Sequence, residues 1–278
     1  MSAHVPDALG MIAGKGVYPL EFARAARAQG VRRLFAVAFK GETEREIEKL
    51  VDEVRWLYVG QLEAMLDAFR ASGVAQAVMV GQITPTHLFR VRPDRAMLNL
   101  LGRLKQRNAE TIFGAVGEEM EKVGVKLAPA SLFMESAMPK PGLIGTRPPT
   151  TEEQADIQLG LDVAKATSGL DIGQTVVLKH GTILAVEAFE GTDAAILRAG
   201  ELGGEGAVVV KVAKRGHDMR FDIPVVGLHT FKTLKKAGIS ALAVEAGRTI
   251  LLERERLIEE ADRRQIAFVA VSTEDSTA

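Results

Sequence analysis

The sequence contains no cysteine, only one tryptophan and two tyrosines, and charges that nearly cancel. Without cysteine the chain has no disulfides, no thiolate zinc sites and no cysteine nucleophile, which is compatible with a reducing compartment. The formal net charge is −1, from 35 basic and 36 acidic residues, so no overall field attracts nucleic acid or anionic lipid. We therefore expect no nucleic-acid partner, and any basic site must be local.

Long apolar runs are also absent. Residues 1–20 lack a basic start followed by an apolar core, and no run reaches the ~18 apolar residues needed to span a membrane. We expect a cytoplasmic protein that is neither exported nor integral to the membrane. At 278 residues the chain exceeds the usual single-core size, which favours two α/β lobes with a ligand in the cleft between the domains.

The N-terminal half alternates between short apolar segments and segments with helical spacing. Apolar residues 9–13, a glycine turn at 14–16 and helical periodicity over 18–29 predict strand, turn and helix. The same alternation predicts strands at 33–39, 54–60 and 75–81, helices at 42–50 and 61–73, and two capping helices, one starting near Asp94 and one at 110–124. Such alternation favours right-handed crossovers, so we predict a Rossmann-like, largely parallel sheet.

A proline-rich segment divides the chain. Residues 138–150 hold four of the ten prolines, a composition that opposes helices and central strands. We predict an N-terminal domain at 1–135, a linker at 136–150 and a distinct C-terminal α/β domain at 151–278. The latter is expected to open with a helix over 151–169 capped by Thr151, followed by a hairpin around His180 and Gly181.

Two glycine turns follow predicted strands of the N-terminal lobe. Gly14 and Lys15 lie where the first strand meets the first helix, and Gly81 and Gln82 follow a later strand. Backbone N–H groups, a helix N-terminus and the lysine could hold a phosphate there. A turn that merely reverses the chain is the alternative, because the first turn lacks both the third glycine of a dinucleotide fingerprint and a Walker ending.

A dense cluster of charge follows the apolar run GAVVVKVA. Lys211, Lys214, Asp218, Arg220 and Asp222 fall within twelve residues. Two carboxylates with cations between them can hold a divalent ion while the cations neutralise phosphate. A solvated loop of mixed charge is the alternative interpretation.

Glu187 interrupts another apolar strand, and a carboxylate there needs a cation or a metal as partner. Thr192 follows at a strand-to-helix junction, where it or Asp193 could simply cap the helix. Serine-hydrolase and histidine-metal chemistry are not favoured. The sequence has no GxSxG elbow, and no metal-binding spacing connects His4, His87, His180, His217 and His229.

The segments IAGKGVYPLEFARAARAQG, LAVEAFEGTDAAI and KVAKRGHDMRFDIPVVG resemble the LpxI family of UDP-2,3-diacylglucosamine pyrophosphatases. The resemblance spans nearly the whole chain. It implies that water attacks the α-phosphate of an acylated UDP-sugar with magnesium as cofactor, giving UMP and 2,3-diacylglucosamine 1-phosphate (lipid X), an early step of lipid A assembly. It also implies peripheral inner-membrane contact through the substrate.

The family's acidic motif resembles KP-x-QD-x-RFD-x-P and matches residues 214–224, with Arg215 and His217 in place of the expected proline and glutamine. We assign those two residues no role. The resulting site has three groups: catalytic Asp222, Asp218 and Arg220; metal-binding Asp222, Asp218 and Glu187; and substrate-binding Gly14, Lys15, Gly81, Gln82, Thr192, Lys211 and Lys214.

The acyl chains need an apolar groove, for which we expect the helical region Met97 to Leu104. A homodimer is possible. Two other classes of function stay open at this point. One is a non-catalytic protein that binds a nucleotide or an acylated sugar. The other is a dinucleotide-dependent oxidoreductase, suggested by the first glycine turn.

Overall fold

A computed structural model describes residues 5–82, 93–106, 108–214, 220 and 223–273. The chain divides into two compact units, residues 1–134 with 218–222 and residues 135–217 with 223–278. Each unit is α/β, which confirms the predicted fold class. Within the described ranges, no helix combines the length and the apolar character needed to cross a membrane.

The first unit is built on a five-stranded parallel sheet. Its elements are β1 (Ala8–Ala13), α1 (Tyr18–Ala28), β2 (Arg33–Phe39), β3 (Glu53–Leu57), α2 (Leu62–Ser72), β4 (Gln76–Val80), α3 (Arg95–Arg103), α4 (Ala109–Lys122) and β5 (Lys126–Leu127). The strand order is β3-β2-β1-β4-β5, and every neighbouring pair is parallel. The order reverses between β1 and β4, as in Rossmann folds, so the Rossmann-like prediction is confirmed.

Burial explains why these strands read as continuous apolar runs. Six of the seven residues of β2 are buried, as expected for a parallel strand covered on both faces. One local prediction was wrong, because residues 42–50 form a single short 3₁₀ helix at Arg45–Lys49 instead of an α-helix. Only Ile47 of that helix is buried, so it lacks the apolar face that stabilises a longer helix.

The two helices expected after β4 are present. Asp94 caps α3 by accepting a hydrogen bond from the Met97 backbone N–H at 2.9 Å. Its other carboxylate oxygen accepts from the Glu63 N–H at the start of α2, at 2.8 Å. Asn108 caps α4 in the same way. Asp94 therefore ties α3 to α2, and side chains of α3 and α4 complete the core on that side of the sheet.

The second unit contains a mixed six-stranded sheet. Its elements are β6 (Gly142–Leu143), α5 (Thr151–Gly169), β7 (Thr175–Lys179), β8 (Thr182–Val186), α6 (Thr192–Gly203), β9 (Ala207–Lys211), β10 (Val225–Val226), α7 (Leu228–Lys236), β11 (Ile239–Glu245), β12 (Ile250–Leu251), α8 (Arg254–Arg263) and β13 (Ala267–Val271). The order is β6-β13-β11-β9-β7-β8, with β9, β11 and β13 parallel and the other three strands antiparallel to their neighbours. Strands β10 and β12 form a separate parallel pair.

Helices cover both faces of this sheet. Alternate residues of β11 point to opposite sides, so Leu242 and Val244 pack with α6, α7 and α8, whereas Ala241 and Ala243 pack with α5. The predicted hairpin is confirmed, with His180 and Gly181 at its turn in the left-handed region.

The helix α5 spans the predicted residues, but its N-cap differs from the sequence prediction by one residue. Thr150, not Thr151, is the N-cap: its hydroxyl accepts from the Glu153 N–H at 3.2 Å, and Glu153 accepts from the Thr150 N–H at 2.8 Å. The reason is that the backbone of Thr150 is still extended (ψ 170°), the conformation that a cap requires, whereas Thr151 is already helical.

We expect Thr150→Ala to lower the free energy of unfolding by about 1 kcal/mol, because the Glu153 N–H loses its acceptor. Thr151→Ala is the matched control, and its effect should stay within about 0.5 kcal/mol. Urea unfolding followed by circular dichroism measures both. Equal losses in the two variants would contradict this assignment of the cap.

Candidate functional site

The two glycine turns of the first unit are joined to each other. The Gly14 N–H donates to Val80 O at 2.8 Å, the Lys15 N–H donates to Gln82 O at 2.7 Å, and the Gln82 N–H donates to Lys15 O at 3.1 Å. Parallel pairing of β1 with β4 brings the carboxyl ends of both strands together and so produces this contact. Gly14, Lys15, Gly81 and Gln82 therefore form one structure, which we call the turn bridge.

The turn bridge changes what these residues can offer a ligand. The backbone N–H groups of Gly14, Lys15 and Gln82 already donate within the chain, so they cannot also hold a phosphate while the bridge is intact. The Lys15 side chain is exposed and keeps its charge for a ligand. A substrate-binding role for this region stays a prediction, to which the amides of Gly14, Lys15 and Gln82 do not contribute while the bridge is intact.

Thr43 holds the residue that precedes the turn bridge, and no local sequence pattern indicated this contact. Its hydroxyl donates to Ala13 O at 2.5 Å and accepts from the Phe39 N–H at 2.8 Å. Thr43 thus connects the carboxyl ends of β1 and β2. The turn is fixed on both sides, by β4 through hydrogen bonds and by β2 through this threonine.

A second polar cluster lies at one edge of the sheet in the second unit. Thr192 Oγ1 donates to Glu187 Oε1 at 2.8 Å, and Lys211 Nζ donates to Thr192 Oγ1 at 2.9 Å. Strand register explains the convergence. Thr175 pairs with Lys211 across β7 and β9, and its carbonyl accepts from the Glu187 N–H at 2.8 Å. The structure therefore brings together three of the predicted site residues.

One carboxylate oxygen of Glu187 accepts no hydrogen bond from the described residues. Among the described residues, Glu187 Oε2 is buried and has no hydrogen-bond partner. A buried carboxylate oxygen without a donor is costly, and such atoms in folded proteins indicate a ligand, ion or water position. The cation expected beside Glu187 is Lys211, which reaches it through the Thr192 hydroxyl.

The helix-capping interpretation of Thr192 and Asp193 is wrong. The N-cap of α6 is Gly191, at φ 85°, and no side chain takes that role. Asp193 instead accepts from Thr233 Oγ1 at 2.9 Å and lies 3.1 Å from His229 Nε2. The Thr192 hydroxyl is therefore committed to Glu187 and Lys211.

Glu190, the other acid of this region, has a structural role. Its own backbone N–H and the Arg198 guanidinium, at 2.7 Å, hold the pKa of its carboxyl below the usual value. Glu190 is thus ionised and already paired at neutral pH. Among these three acids, only Glu187 has a buried oxygen that accepts no hydrogen bond from the described chain.

Magnesium binding was predicted for Glu187, Asp218 and Asp222. Both aspartates lie outside the described residues. In the part of the chain that is described, no three Asp, Glu or His side chains are grouped to hold a metal ion. The buried Oε2 of Glu187 nevertheless fits such an ion, because Mg²⁺ prefers hard carboxylate oxygens.

Two predicted cations of the charged segment are held by carboxylates. Lys214 Nζ lies 3.4 Å from Asp171 Oδ1, and Arg220 Nη1 lies 3.9 Å from Glu121 Oε1 of α4. Both distances are long for a charge-assisted hydrogen bond.

The first unit contains a small apolar pocket of about 50 Å³ at the carboxyl ends of its strands. Its lining is mostly methionine and aromatic or aliphatic side chains, including Ile12, Phe39, Met65, Met79, Met97 and Phe113. Of the predicted acyl-chain region, Met97 to Leu104, only Met97 lines this pocket.

A buried ion pair, Lys165 with Glu245, was missed by sequence reasoning. Both residues interrupt otherwise apolar faces, Lys165 on α5 and Glu245 at the end of β11, and that pattern is a signal for a buried charge that needs a partner. The partners are 80 positions apart, so the sequence did not reveal that they meet.

A Rossmann-like parallel sheet followed by a separate mixed sheet, each with polar side chains at the ends of its strands, defines a two-domain α/β protein. Residues 8–137 match the LpxI N-terminal domain and residues 140–269 match the LpxI C-terminal domain. The chain belongs to the LpxI family. The UDP-2,3-diacylglucosamine pyrophosphatase LpxI of Caulobacter vibrioides is 31% identical over 280 residues, covering 96% of this chain and 98% of the relative.

Two solved structures show slight similarity to this chain. The biotin carboxylase domain of Hydrogenobacter thermophilus 2-oxoglutarate carboxylase is 15% identical with a TM-score of 0.27, covering 69% of this chain and 40% of that one. The protein gox2253 is 13% identical with a TM-score of 0.29, covering 98% and 92%. At such scores neither structure informs the fold or the function.

The turn bridge predicts a steric requirement at Gly14. A Cβ there would lie 2.7 Å from Gln82 O, so Gly14→Ala should lower the free energy of unfolding by about 1–3 kcal/mol. Gly114→Ala is the control. No heavy atom of the described chain lies within 4 Å of its Cβ, and alanine in α4 should stabilise by up to about 1 kcal/mol. Urea unfolding measures both, and a neutral Gly14→Ala would contradict the close contact.

Proposed function

We propose that this chain hydrolyses UDP-2,3-diacylglucosamine to UMP and 2,3-diacylglucosamine 1-phosphate. The observation that carries the proposal is the match of both LpxI domains, in order, over residues 8–137 and 140–269. The Caulobacter relative whose name states this pyrophosphatase activity aligns over 98% of its own length. The match therefore covers both units and not only the common Rossmann-like one.

The polar cluster of the second unit suits a diphosphate substrate. Lys211 is held by the Thr192 hydroxyl at 2.9 Å, so its remaining ammonium hydrogens can donate to phosphate oxygens. Lys214, which lies 3.4 Å from Asp171, carries a further positive charge in the same unit. Cations of this kind offset the charge that spreads over the phosphate oxygens during phosphoryl transfer.

The proposal includes magnesium as cofactor, with Glu187, Asp218 and Asp222 as the residues that would hold it. A bound Mg²⁺ offsets charge on phosphate oxygens and makes a bound water more acidic. The Thr192 hydroxyl satisfies Glu187 Oε1 and leaves Oε2 for the ion. Asp222 orients the attacking water, and Asp218 and Arg220 assist at the same phosphate.

The acyl chains need an apolar surface. The pocket around Met65, Met79 and Met97 has a volume of about 50 Å³, too small for a whole acyl chain. Methionine side chains are flexible, so this lining can rearrange around the end of a chain. We extend the acyl-chain prediction from Met97 to this pocket. Cytoplasmic location, peripheral inner-membrane contact and a homodimer stay predictions.

We expect the purified protein to release UMP and 2,3-diacylglucosamine 1-phosphate in equal amounts from UDP-2,3-diacylglucosamine and magnesium. In water enriched in ¹⁸O, mass spectrometry should find the label in UMP, because the attack is at the α-phosphate. Excess EDTA should stop the reaction and added magnesium should restore it.

Each alternative gives a different result in the same experiment. Binding of the substrate without UMP release would indicate a non-catalytic binding protein. Thermal stabilisation by a nicotinamide dinucleotide, without hydrolysis, would favour the oxidoreductase. Full activity in excess EDTA would refute the magnesium role, and label in the sugar phosphate would move the attack to the other phosphorus.

We expect Asp222→Ala to lower kcat by about 100-fold or more, the loss typical of a group that positions or activates water. Its fold should stay intact, as judged by circular dichroism. Asp162→Asn, which removes an exposed carboxylate on α5, is the matched control and should leave kcat unchanged. A loss of only a few-fold in Asp222→Ala would place the central role on another residue.

A further inference from the structure

Lys165 and Glu245 form an ion pair in the interior of the second unit. Glu245 is 0% exposed and Lys165 is 7% exposed. Lys165 Nζ lies 2.8 Å from Oε1 and 2.9 Å from Oε2 of Glu245. The hydroxyl of Thr273 also donates to Oε1, at 2.6 Å. The pair thus joins α5, the end of β11 and the residues after β13.

The same pair holds both polar groups of the Ala213 backbone. The Ala213 N–H donates to Glu245 Oε2 at 2.7 Å, and Ala213 O accepts from Lys165 Nζ at 2.9 Å. Ala213 lies two residues after β9, at the point where the chain leaves the sheet. It immediately precedes residues 214–224, the segment that carries Asp218, Arg220 and Asp222.

The chain after Glu245 holds the other end of that segment. The Ile250 N–H donates to Pro224 O and the Leu252 N–H donates to Val226 O, both at 2.9 Å, as β10 pairs with β12. Residues 245–252 therefore bond to the chain on either side of residues 214–223. We call this arrangement the segment anchor.

Stability alone is a weak reason for a buried ion pair here. Removing two charges from water costs several kcal/mol, and apolar residues of similar size often stabilise a protein as well or better. What an apolar pair cannot do is hold the N–H and C=O of Ala213, because it has neither donor nor acceptor. A lysine and a glutamate are required here because together they hold the backbone of Ala213, and with it the direction of the chain.

We propose that Lys165 and Glu245 are positioning residues, which fix the backbone at Ala213, where the segment with the acids of the proposed site begins. The kinetic part of this proposal rests on the proposed pyrophosphatase function. The anchoring of Ala213 does not, and a measurement that needs no substrate tests it.

The kinetic test is Glu245→Gln. The amide keeps the shape of the side chain but cannot accept hydrogen bonds with both of its terminal atoms, so the anchor loosens. We expect kcat to fall about 10- to 100-fold, the usual cost of a small misplacement of catalytic groups. KM should stay within about threefold, because groups acting mainly in the transition state are affected.

Asp156→Asn is the matched control in the same unit. Asp156 is also buried, at 4% exposure, and also accepts from two backbone N–H groups, those of His180 at 2.9 Å and Gly181 at 2.6 Å. These groups lie at the other end of β7 from Thr175, which pairs with Lys211, two residues before Ala213. Asp156→Asn should lose stability but keep kcat within about twofold.

A double variant, Lys165→Met with Glu245→Met, separates positioning from stability and remains informative if the single variant folds poorly. Removing both charges together should restore part of the stability that a single substitution loses, although Arg248, whose Nε lies 3.8 Å from Glu245 Oε1, then loses its carboxylate. Because Ala213 still has no partners, kcat should stay low. Recovery of wild-type kcat together with stability would show that the pair is only structural, and would overturn the proposal.

Amide hydrogen exchange of residues 211–226 provides the measurement that needs no substrate. Exchange at Ala213 should become at least about tenfold faster in Glu245→Gln or in the double variant, because a protecting hydrogen bond is lost. Asp156→Asn should leave it unchanged. Unchanged exchange at Ala213 in both anchor variants would overturn the proposal. Faster exchange with a wild-type protein that releases no UMP would keep the anchor and reject the proposed function.

Discussion

The need to satisfy backbone N–H and C=O groups where the chain leaves a sheet governs both units. In the first unit, backbone groups form hydrogen bonds with one another, because the turns after β1 and β4 are joined through Gly14, Lys15 and Gln82. In the second unit, side chains hold the backbone groups, because Lys165 and Glu245 bond to Ala213. The first solution occupies the N–H groups of Gly14, Lys15 and Gln82, whereas the second uses two buried charges.

The position of β7 in the second sheet makes that cluster possible. Since β7 is antiparallel to both β8 and β9, its first residue, Thr175, lies beside the last residue of β9 and the residue that follows β8. Lys211 and Glu187 therefore meet at the same edge although they are 24 positions apart. A parallel β7 would place its amino end at the opposite edge. The mixed topology is thus what brings acid, hydroxyl and ammonium within hydrogen-bond reach.

The sequence pattern predicted those strands and helices that depend on residues close together in the chain. Continuous apolar runs at 9–13 and 33–39 indicated β1 and β2, because burial on both faces of a parallel sheet imposes that pattern. The 3₁₀ helix at Arg45–Lys49 and the cap at Thr150 were missed, since element ends depend on a few dihedral angles. Pairings such as Lys165 with Glu245, or Thr192 with Lys211, depend on strand order and register, which no short stretch of sequence specifies. The acids Asp218 and Asp222 rest on the sequence motif alone.

The turn bridge also bears on the oxidoreductase alternative. A dinucleotide-binding fold holds pyrophosphate with the N–H groups between β1 and α1, at the point where the strand order reverses. This chain has that strand order, but the N–H groups of Gly14 and Lys15 donate to Val80 and Gln82. Layering inherited from a common fold therefore does not bring the common chemistry with it. While the turn bridge is intact, the Gly14 and Lys15 amides are therefore not available for that role.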